Sequence, residues 1–263
     1  MIDVSKVAGV ARTVTVVLAV AWLAACAEVP KDPVARAEYD KRNDPLEPAN
    51  RWVFRQNIAI DKAIARPLAR GWKKYVPRLT RDNVKNFIDN FSSPVTFIND
   101  ILQGESGRAA ETFVRFWFNT VAGFGGLFDA AGELGLKRHE EDFGQTLAVW
   151  GLPDGPYLMI LLLGPHSTRH LAGKVTDSQA NPFSYLVADG GFVASAVLVG
   201  GNVLYFIDFR ARALGTLEEL EKSSLDFYAS VRSLYRQNRK SEILNGKVTD
   251  LPVPGDDDED EDE

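Results

Sequence analysis

Cysteine is almost missing from this 263-residue chain: Cys26 is the only one, so no disulfide can form within it. Histidine occurs at 139, 166 and 170 alone. Without a Cys-rich spacing or an HExxH pattern beside them, these histidines do not describe a metal centre. Runs that alternate apolar and polar residues are absent, which excludes a lipid-facing β-barrel. No apolar stretch cleanly supplies the roughly 20 residues of a spanning helix. The nearest, residues 190–207, lies uncharged between Asp189 and Asp208 but is interrupted by Asn202 and four glycines, so partial immersion suits it better. Gly123-Phe124-Gly125-Gly126 lacks the preceding strand and the third-glycine spacing of a phosphate cradle, so no nucleotide cofactor is expected.

The two ends of the chain carry clear signals. Lys6 and Arg12 precede an uncharged run from Thr13 to Leu23, the layout of a secretory signal over residues 1–25. The run ends in Leu23-Ala24-Ala25-Cys26, which resembles the lipobox of bacterial lipoproteins, and lipidation of Cys26 is expected. Several acyl chains, at about 0.8 kcal/mol per buried CH2, would anchor it durably. Ala27 in place of aspartate leaves inner-membrane retention unsupported and favours the outer membrane. Residues 26–48 hold Pro30, Pro33, Pro45 and Pro48 among charges and read as a tether. At the far end, residues 246–263 close on eight consecutive acids, a composition expected to be disordered. Without those eight the formal charge of −6 becomes +2, so the acidic balance misdescribes the body.

Residues 49–245 read as one helical domain. Val53, Ile60, Ile64, Leu68, Trp72, Tyr75 and Leu79 recur at helical steps, with a kink expected at Pro67. Asp82 is placed to cap a second helix with the stripe Val84, Phe87, Ile88, Phe91, Val95, Ile98 and Leu102, interrupted at Ser92-Ser93-Pro94. A third, roughly Arg108 to Val121, packs Phe113, Val114, Phe116, Trp117 and Phe118 around so much of its circumference that it must sit in a core or in lipid. Tyr157 to Leu163 is apolar but too short to span. Thr216-Leu217-Glu218-Glu219 has the form of a capping box for a last helix, whose end carries Arg232, Arg236, Arg239 and Lys240.

Catalytic chemistry is thin. His166, Ser167 and His170, with Asp177 nearby, form the one hydrolase-like grouping, and capped or solvated histidines account for it better. The cluster Arg66, Arg70, Lys73, Lys74, Arg78 and Arg81, interleaved with Trp72 and Tyr75, could grip nucleic acid, but an exported chain meets none. Lipid headgroups suit it better, with Arg70, Lys73 and Lys74 as candidates.

Asp44-Pro45-Leu46-Glu47-Pro48-Ala49-Asn50-Arg51 resembles the D-P-x-E-x-x-N-R entry of the MlaA (VacJ) lipoproteins. Tyr75-Val76-Pro77, Asn86-Phe87 with Asn90, Asn99 to Gly104, Arg115-Phe116 with Phe118-Asn119-Thr120, Gly123 to Asp129, Glu141 to Leu147, Gly155-Pro156-Tyr157 and Asp226-Tyr228-Arg232-Tyr235 follow in family order. The resemblance runs from about Asp44 to Gln237. It implies an all-α ring of helices seated mainly in the periplasmic leaflet of the outer membrane around an amphipathic channel. It also implies a non-enzymatic role in removing mislocalised phospholipid from the outer leaflet. Trimeric porins and the soluble periplasmic carrier MlaC are the implied partners. By family order, Gly125, Gly126, Asp129, Lys137, Arg138, Glu141, Asp142 and Phe143 belong to a hairpin that lines and gates the channel, with Glu140 adding polarity. Asn86-Phe87 would set the position of a membrane-level helix. A lipoprotein that braces porins without moving lipid is the alternative.

Overall fold

The computed structural model describes Asp32, residues 44–181 and residues 191–246. Cys26, the signal segment, nearly all of the tether and the acidic run lie outside the described residues. Glu47–Ile60 (α1), a π-helical turn at Asp61–Ala65 and Arg66–Tyr75 (α2) follow without a break. Pro67 accounts for the widened turn: it has no N–H, and its ring crowds the carbonyl four residues back. The apolar pattern pointed on to Leu79, but Val76 is extended (φ −96°, ψ 123°), as the residue before a proline is driven to be. Arg78–Leu102 (α3) therefore starts afresh after Pro77. Asp82 lies inside it and is no cap; it pairs with Arg212 at 2.7 Å. Nor is the helix interrupted at Pro94: Arg78–Leu102 is one continuous element, in which the Ser92 and Ser93 hydroxyls donate to the carbonyls of Ile88 and Asp89 at 3.1 and 3.2 Å.

Ser106–Val121 (α4) returns along α3 as a helical hairpin. The Thr112 hydroxyl donates to Asp100 at 2.7 Å, and the Asn90 amide donates to the Thr120 hydroxyl at 3.0 Å. Tight turns and the short Ala130–Glu133 (α5) lead through residues 137–142 to Phe143–Val149 (α6). Tyr157–Ile160 (β1) and Gly164–Ser167 (β2) pair antiparallel, with Tyr157 opposite Ser167. The apolar run at 157–163 thus supplies a strand that periodicity did not reveal. Thr168–Ala180 (α7), Gly191–Arg212 (α8), Leu214–Ser223 (α9) and Phe227–Ile243 (α10) complete the described elements. Thr216 sits inside α9 and caps nothing; α10 is a separate helix, capped by Asp226, whose carboxylate accepts from the Ala229 N–H at 3.1 Å. Among the described residues no helix is long and apolar enough to cross a membrane.

Two small apolar clusters hold the frame. Tyr157, Met159 and Tyr228 pack with Val53, Phe54 and Tyr235, joining α1, β1 and α10. The entry motif is built into this base. Asn50 donates to the Tyr157 carbonyl at 3.0 Å and accepts from the Met159 N–H at 2.9 Å, so its amide completes the edge of β1 as a neighbouring strand would. Asn57, seven residues on and hence on the same helix face, repeats this with the Ile160 carbonyl and the Leu162 N–H at 2.9 and 2.8 Å. Asp44 accepts from Asn50, Tyr228 and Arg232, and Arg51 forks onto Asp226 at 3.1 and 2.6 Å. Residues 44–48, read as the end of the tether, are therefore folded into the base. Arg232 and Arg239 serve carboxylates of other elements, Asp44 and Asp142, beyond any service to their own helix end. The second cluster, Ala69, Ala211 and Leu214 with Trp72, fixes α2 to α8 and α9, assisted by the Arg210–Asp61 pair at 2.6 Å.

Candidate functional site

The α3–α4 hairpin is inverted relative to a water-soluble protein. Its buried positions are Asn90, Thr96, Asn99, Asp100, Thr112, Arg115 and Asn119, joined by Ala109. Several of its aromatic and aliphatic side chains point outward: Phe113 and Trp117 are each 54% exposed and Val121 is 63% exposed. Phe87, Ile98, Ile101 and Leu102 on α3 are exposed as well. Of the two settings open to the third helix, a core or lipid, the apolar face is thus not in a core. Across the described residues, eighteen buried side chains are polar or charged against nine that are apolar. An interior this polar beneath an apolar exterior suits a hydrocarbon solvent outside.

Between α3, α4, α8 and the extended segment 137–142 lies a cavity of about 270 Å³, lined mostly by polar and charged residues with Ile88 and Val95 among them. Asn86, Asp129, Arg138, Glu141 and Asp142 line it, which brings together five residues singled out from sequence. A second, more open cavity of about 440 Å³ touches Lys137 and the end of α10. Arg138, His139 and Glu140 line both, so this stretch is the partition between them. Side chains hold the partition in place. Arg138 bonds to Asp89 and Glu140. The His139 ring stands 3.1 Å from both oxygens of the fully buried Asp100 and 3.1 Å from the Thr112 hydroxyl. Glu141 accepts from Gln103 at 2.9 Å and from Arg108, yet burial raises its pKa. At either end, the Lys137 N–H donates to Glu111 at 2.7 Å and Asp142 takes a fork from Arg239 at 2.7 and 3.1 Å.

Acid strength varies around the cavity. Burial lifts the pKa of Asp89 and of Asp177. Burial works in the same direction on Asp129 and Asp142, but Arg115 with Asn119, and Arg239, outweigh it and hold both below the usual carboxylate range. Asp129 also caps α5 through the Gly132 N–H at 3.1 Å.

Gly126 (φ +94°) brings the turn after α4 onto α3: a Cβ there would meet the Asn90 Cβ at 2.5 Å. Gly125 (φ +71°) has open space around it and needs glycine for backbone reasons only. Asp142 caps α6, which begins at Phe143, and the Phe143 N–H donates to Asp177 at 2.9 Å. Phe87 stacks on Phe91 at 5.9 Å while neighbouring Asn86 turns to the cavity. Arg70, Lys73 and Lys74 lie elsewhere, on exposed α2; Arg70 is bound to Glu218 at 2.7 Å and Lys74 sits over the Tyr75 ring.

The hydrolase-like grouping has a structural account. Ser167 is fully buried and its hydroxyl accepts from the His170 N–H as the cap of α7. His166 and His170 stack at 4.7 Å, and burial depresses their pKa values to about 4 and about 3. Among the described residues no group of three His, Cys, Asp or Glu could hold a metal ion.

Residues 42–242 match the family model for the MlaA lipoprotein. The chain belongs to the MlaA lipoprotein family. Among its relatives, the intermembrane phospholipid transport system lipoprotein MlaA of Haemophilus influenzae is 32% identical over 218 residues, spanning 81% of this chain and 84% of that protein. The protein of the same name from Escherichia coli K12 is 34% identical over 209 residues, 78% of this chain and 80% of its own. A solved structure described as the structural basis for maintenance of bacterial outer membrane lipid asymmetry superposes with a TM-score of 0.68 at 36% identity, covering 76% of this chain and 98% of that one. In this member of the MlaA family, Asp89 and Tyr205 were not marked by the sequence, and Arg115 and Asp100 stood out only as parts of family motifs, with no place in the site. The signal was present in α3, where Asn86, Asp89, Asn90, Ser93, Thr96 and Asp100 recur at helical spacing opposite the apolar stripe.

Proposed function

We propose that this protein is an outer-membrane lipoprotein, anchored through Cys26, that helps maintain lipid asymmetry. In this reading it extracts mislocalised phospholipid from the outer leaflet and hands it to a periplasmic carrier such as MlaC. The relatives' shared name, an intermembrane phospholipid transport system lipoprotein, supports the pathway. The observation that carries the reading is a cavity lined mostly by polar and charged residues, set between helices that expose many apolar side chains on their outer face. Acyl chains are tolerated along the outer face, whereas a headgroup needs a polar path, because an unsolvated phosphate in hydrocarbon is prohibitively costly.

On this account the helices form a ring in the periplasmic leaflet and the cavity is part of its channel. The partition at 137–142, with Gly125, Gly126 and Asp129 at its root, acts as the gate. Ion pairs can exchange partners with a passing headgroup, which a continuous main-chain ladder could not do. Asn86 and Phe87 set how deeply α3 sits, and Arg70, Lys73 and Lys74 meet headgroups at the periplasmic rim. Trimeric porins are the expected neighbours in the membrane.

The test is the amount of phospholipid in the outer leaflet, read with a leaflet-restricted phospholipase in cells with and without the protein. A rise on deletion, reversed by the wild type and not by Cys26→Ala, is the expected result. Porin association without any change in leaflet lipid would replace this reading with a bracing role.

A further inference from the structure

The contacts that hold the partition at 137–142 are of two kinds, which differ in what they leave behind when they break. Arg138 makes the first kind. It is a cation shared by two carboxylates, Asp89 and Glu140, and an arriving phosphate can draw it off both. Neither carboxylate is then stranded, because Asp89 keeps Lys85 at 2.6 Å and Glu140 is exposed to water. The Lys137 N–H is freed as readily, since its bond to Glu111 is exposed. His139 makes the second kind. Its Nε2 stands 3.1 Å from both oxygens of Asp100 and from the Thr112 hydroxyl. Thr112 commits its proton to Asp100 at 2.7 Å, so Nε2 faces acceptors alone and carries a hydrogen in either charge state of the ring. Asp100 is fully buried, and Arg108 stands 3.8 Å from it while bonding to Glu141 at 2.5 Å. Lifting His139 away would therefore leave a buried carboxylate with little more than one hydroxyl to compensate it, which is far costlier than freeing Arg138.

We infer that the partition does not move as one body: Lys137 and Arg138 are its moving part, and His139 is the positioning residue that keeps 139–142 and α6 in place while a phosphodiester draws Arg138 aside. The moving part is framed on its other side as well. Arg115, itself buried, donates to the Leu136 carbonyl and holds Asp129 at 2.8 Å. Beyond His139 the fixed part continues through Glu141, bonded to Gln103 and Arg108, and Asp142, forked by Arg239. Arg138 lines both cavities, so its withdrawal alone joins them while His139 remains as the frame. The gap closes again when the lipid leaves, because Asp89 and Glu140 stay where Arg138 left them.

This inference rests on the lipid-transport reading and is tested by amide hydrogen exchange, read by NMR on the full chain in neutral micelles with and without phosphatidylglycerol. Two amides report on the two sides of His139: the Lys137 N–H, bonded to Glu111, and the Phe143 N–H, bonded to Asp177 at 2.9 Å. The Met159 N–H, bonded to Asn50 in the base, is the internal reference for general loosening. In the wild type the lipid should speed exchange at Lys137 by about tenfold, the factor that one hydrogen bond supplies, and leave Phe143 unchanged. In His139→Leu the lipid should speed both by a similar factor with Met159 unchanged. His139→Gln, whose amide nitrogen can take the place of Nε2, should behave as the wild type. Joint acceleration of Lys137 and Phe143 in the wild type overturns the frame and leaves transport standing, and this pair decides even where His139→Leu does not fold. Continued protection of Phe143 in a folded His139→Leu, or its loss in His139→Gln, removes His139 from the role. No response at Lys137 in the wild type overturns the gate reading and the frame with it.

Discussion

The base of the molecule and the α3–α4 hairpin solve opposite problems with the same secondary structure. In the base, α1, β1 and α10 turn Tyr157, Met159 and Tyr228 inward and stitch the rim with Asp44, Arg51 and Asp226, as a protein in water does. In the hairpin the polar residues are inside and Phe113, Trp117 and Val121 are outside. Burial by itself therefore does not measure importance here: it marks apolar packing in the base and a polar interior in the hairpin. An apolar side chain should matter to stability in the first and to membrane seating in the second.

Truncating one aromatic in each region should separate the two most strongly. Tyr228→Ala empties a site that is 3% exposed and removes the bond to Asp44, so a loss of about 4 kcal/mol is expected in denaturant unfolding in micelles. Phe113→Ala should stay within about 0.5 kcal/mol in the same assay while weakening partition into vesicles. Comparable losses at both sites would erase the distinction.

Glycine offers a second comparison, within the hairpin itself. Gly126→Ala sets a Cβ against Asn90 at a left-handed φ, which should cost about 3 kcal/mol. Gly125→Ala suffers only the backbone penalty, about 1 kcal/mol. Their order by thermal unfolding monitored by circular dichroism checks whether the close approach to α3 is real.

A smaller effect follows from the base's imidazoles. His166 and His170 titrate near pH 4 and near pH 3 in the folded chain, below their ordinary value of 6.5, because burial disfavours the imidazolium. The unfolded chain takes up protons first, so their contribution is complete above pH 6.5 and is lost as the pH falls towards 4 and 3. Asp89, Glu141 and Asp177 have raised pKa values and act in the opposite sense, their stabilisation growing as they protonate in acid. The histidine signature is therefore read between pH 6.5 and 5, where the melting temperature should fall and His170→Gln should flatten the fall. Smallest of all, Arg70→Ala should leave the melting temperature unchanged, since its pair with Glu218 lies on the exposed face of α2.

The helical class and the outline of the α3–α4 hairpin were legible from apolar periodicity, and the Asp44–Arg51 motif marked residues that prove to bind β1 and α10. Periodicity could not say which face of α4 turns inward, because an apolar stripe marks one side of a helix without naming the solvent that side meets. Asp82 and Thr216 have capping chemistry, yet Pro77 and Ala213 precede the helices that form, so local propensity yielded to where the chain could turn. The β1–β2 hairpin was hidden because its pairing partners include the side chains of Asn50 and Asn57, more than 100 residues away. The partition was partly legible: charge at residues 137–142 was visible, but its buried counterparts Asp89 and Asp100 looked like the solvent side of an ordinary amphipathic helix.

The most direct test of lipid outside and polar path inside is tryptophan quenching in vesicles of brominated phospholipid, using two full-length variants that each keep a single tryptophan. Trp117, on the outer face of α4, should be strongly quenched, whereas Trp72, whose Nε1 donates to Asp208 at 2.9 Å between α2 and α8, should be largely spared. Equal quenching of the two, or none at Trp117, would contradict the account.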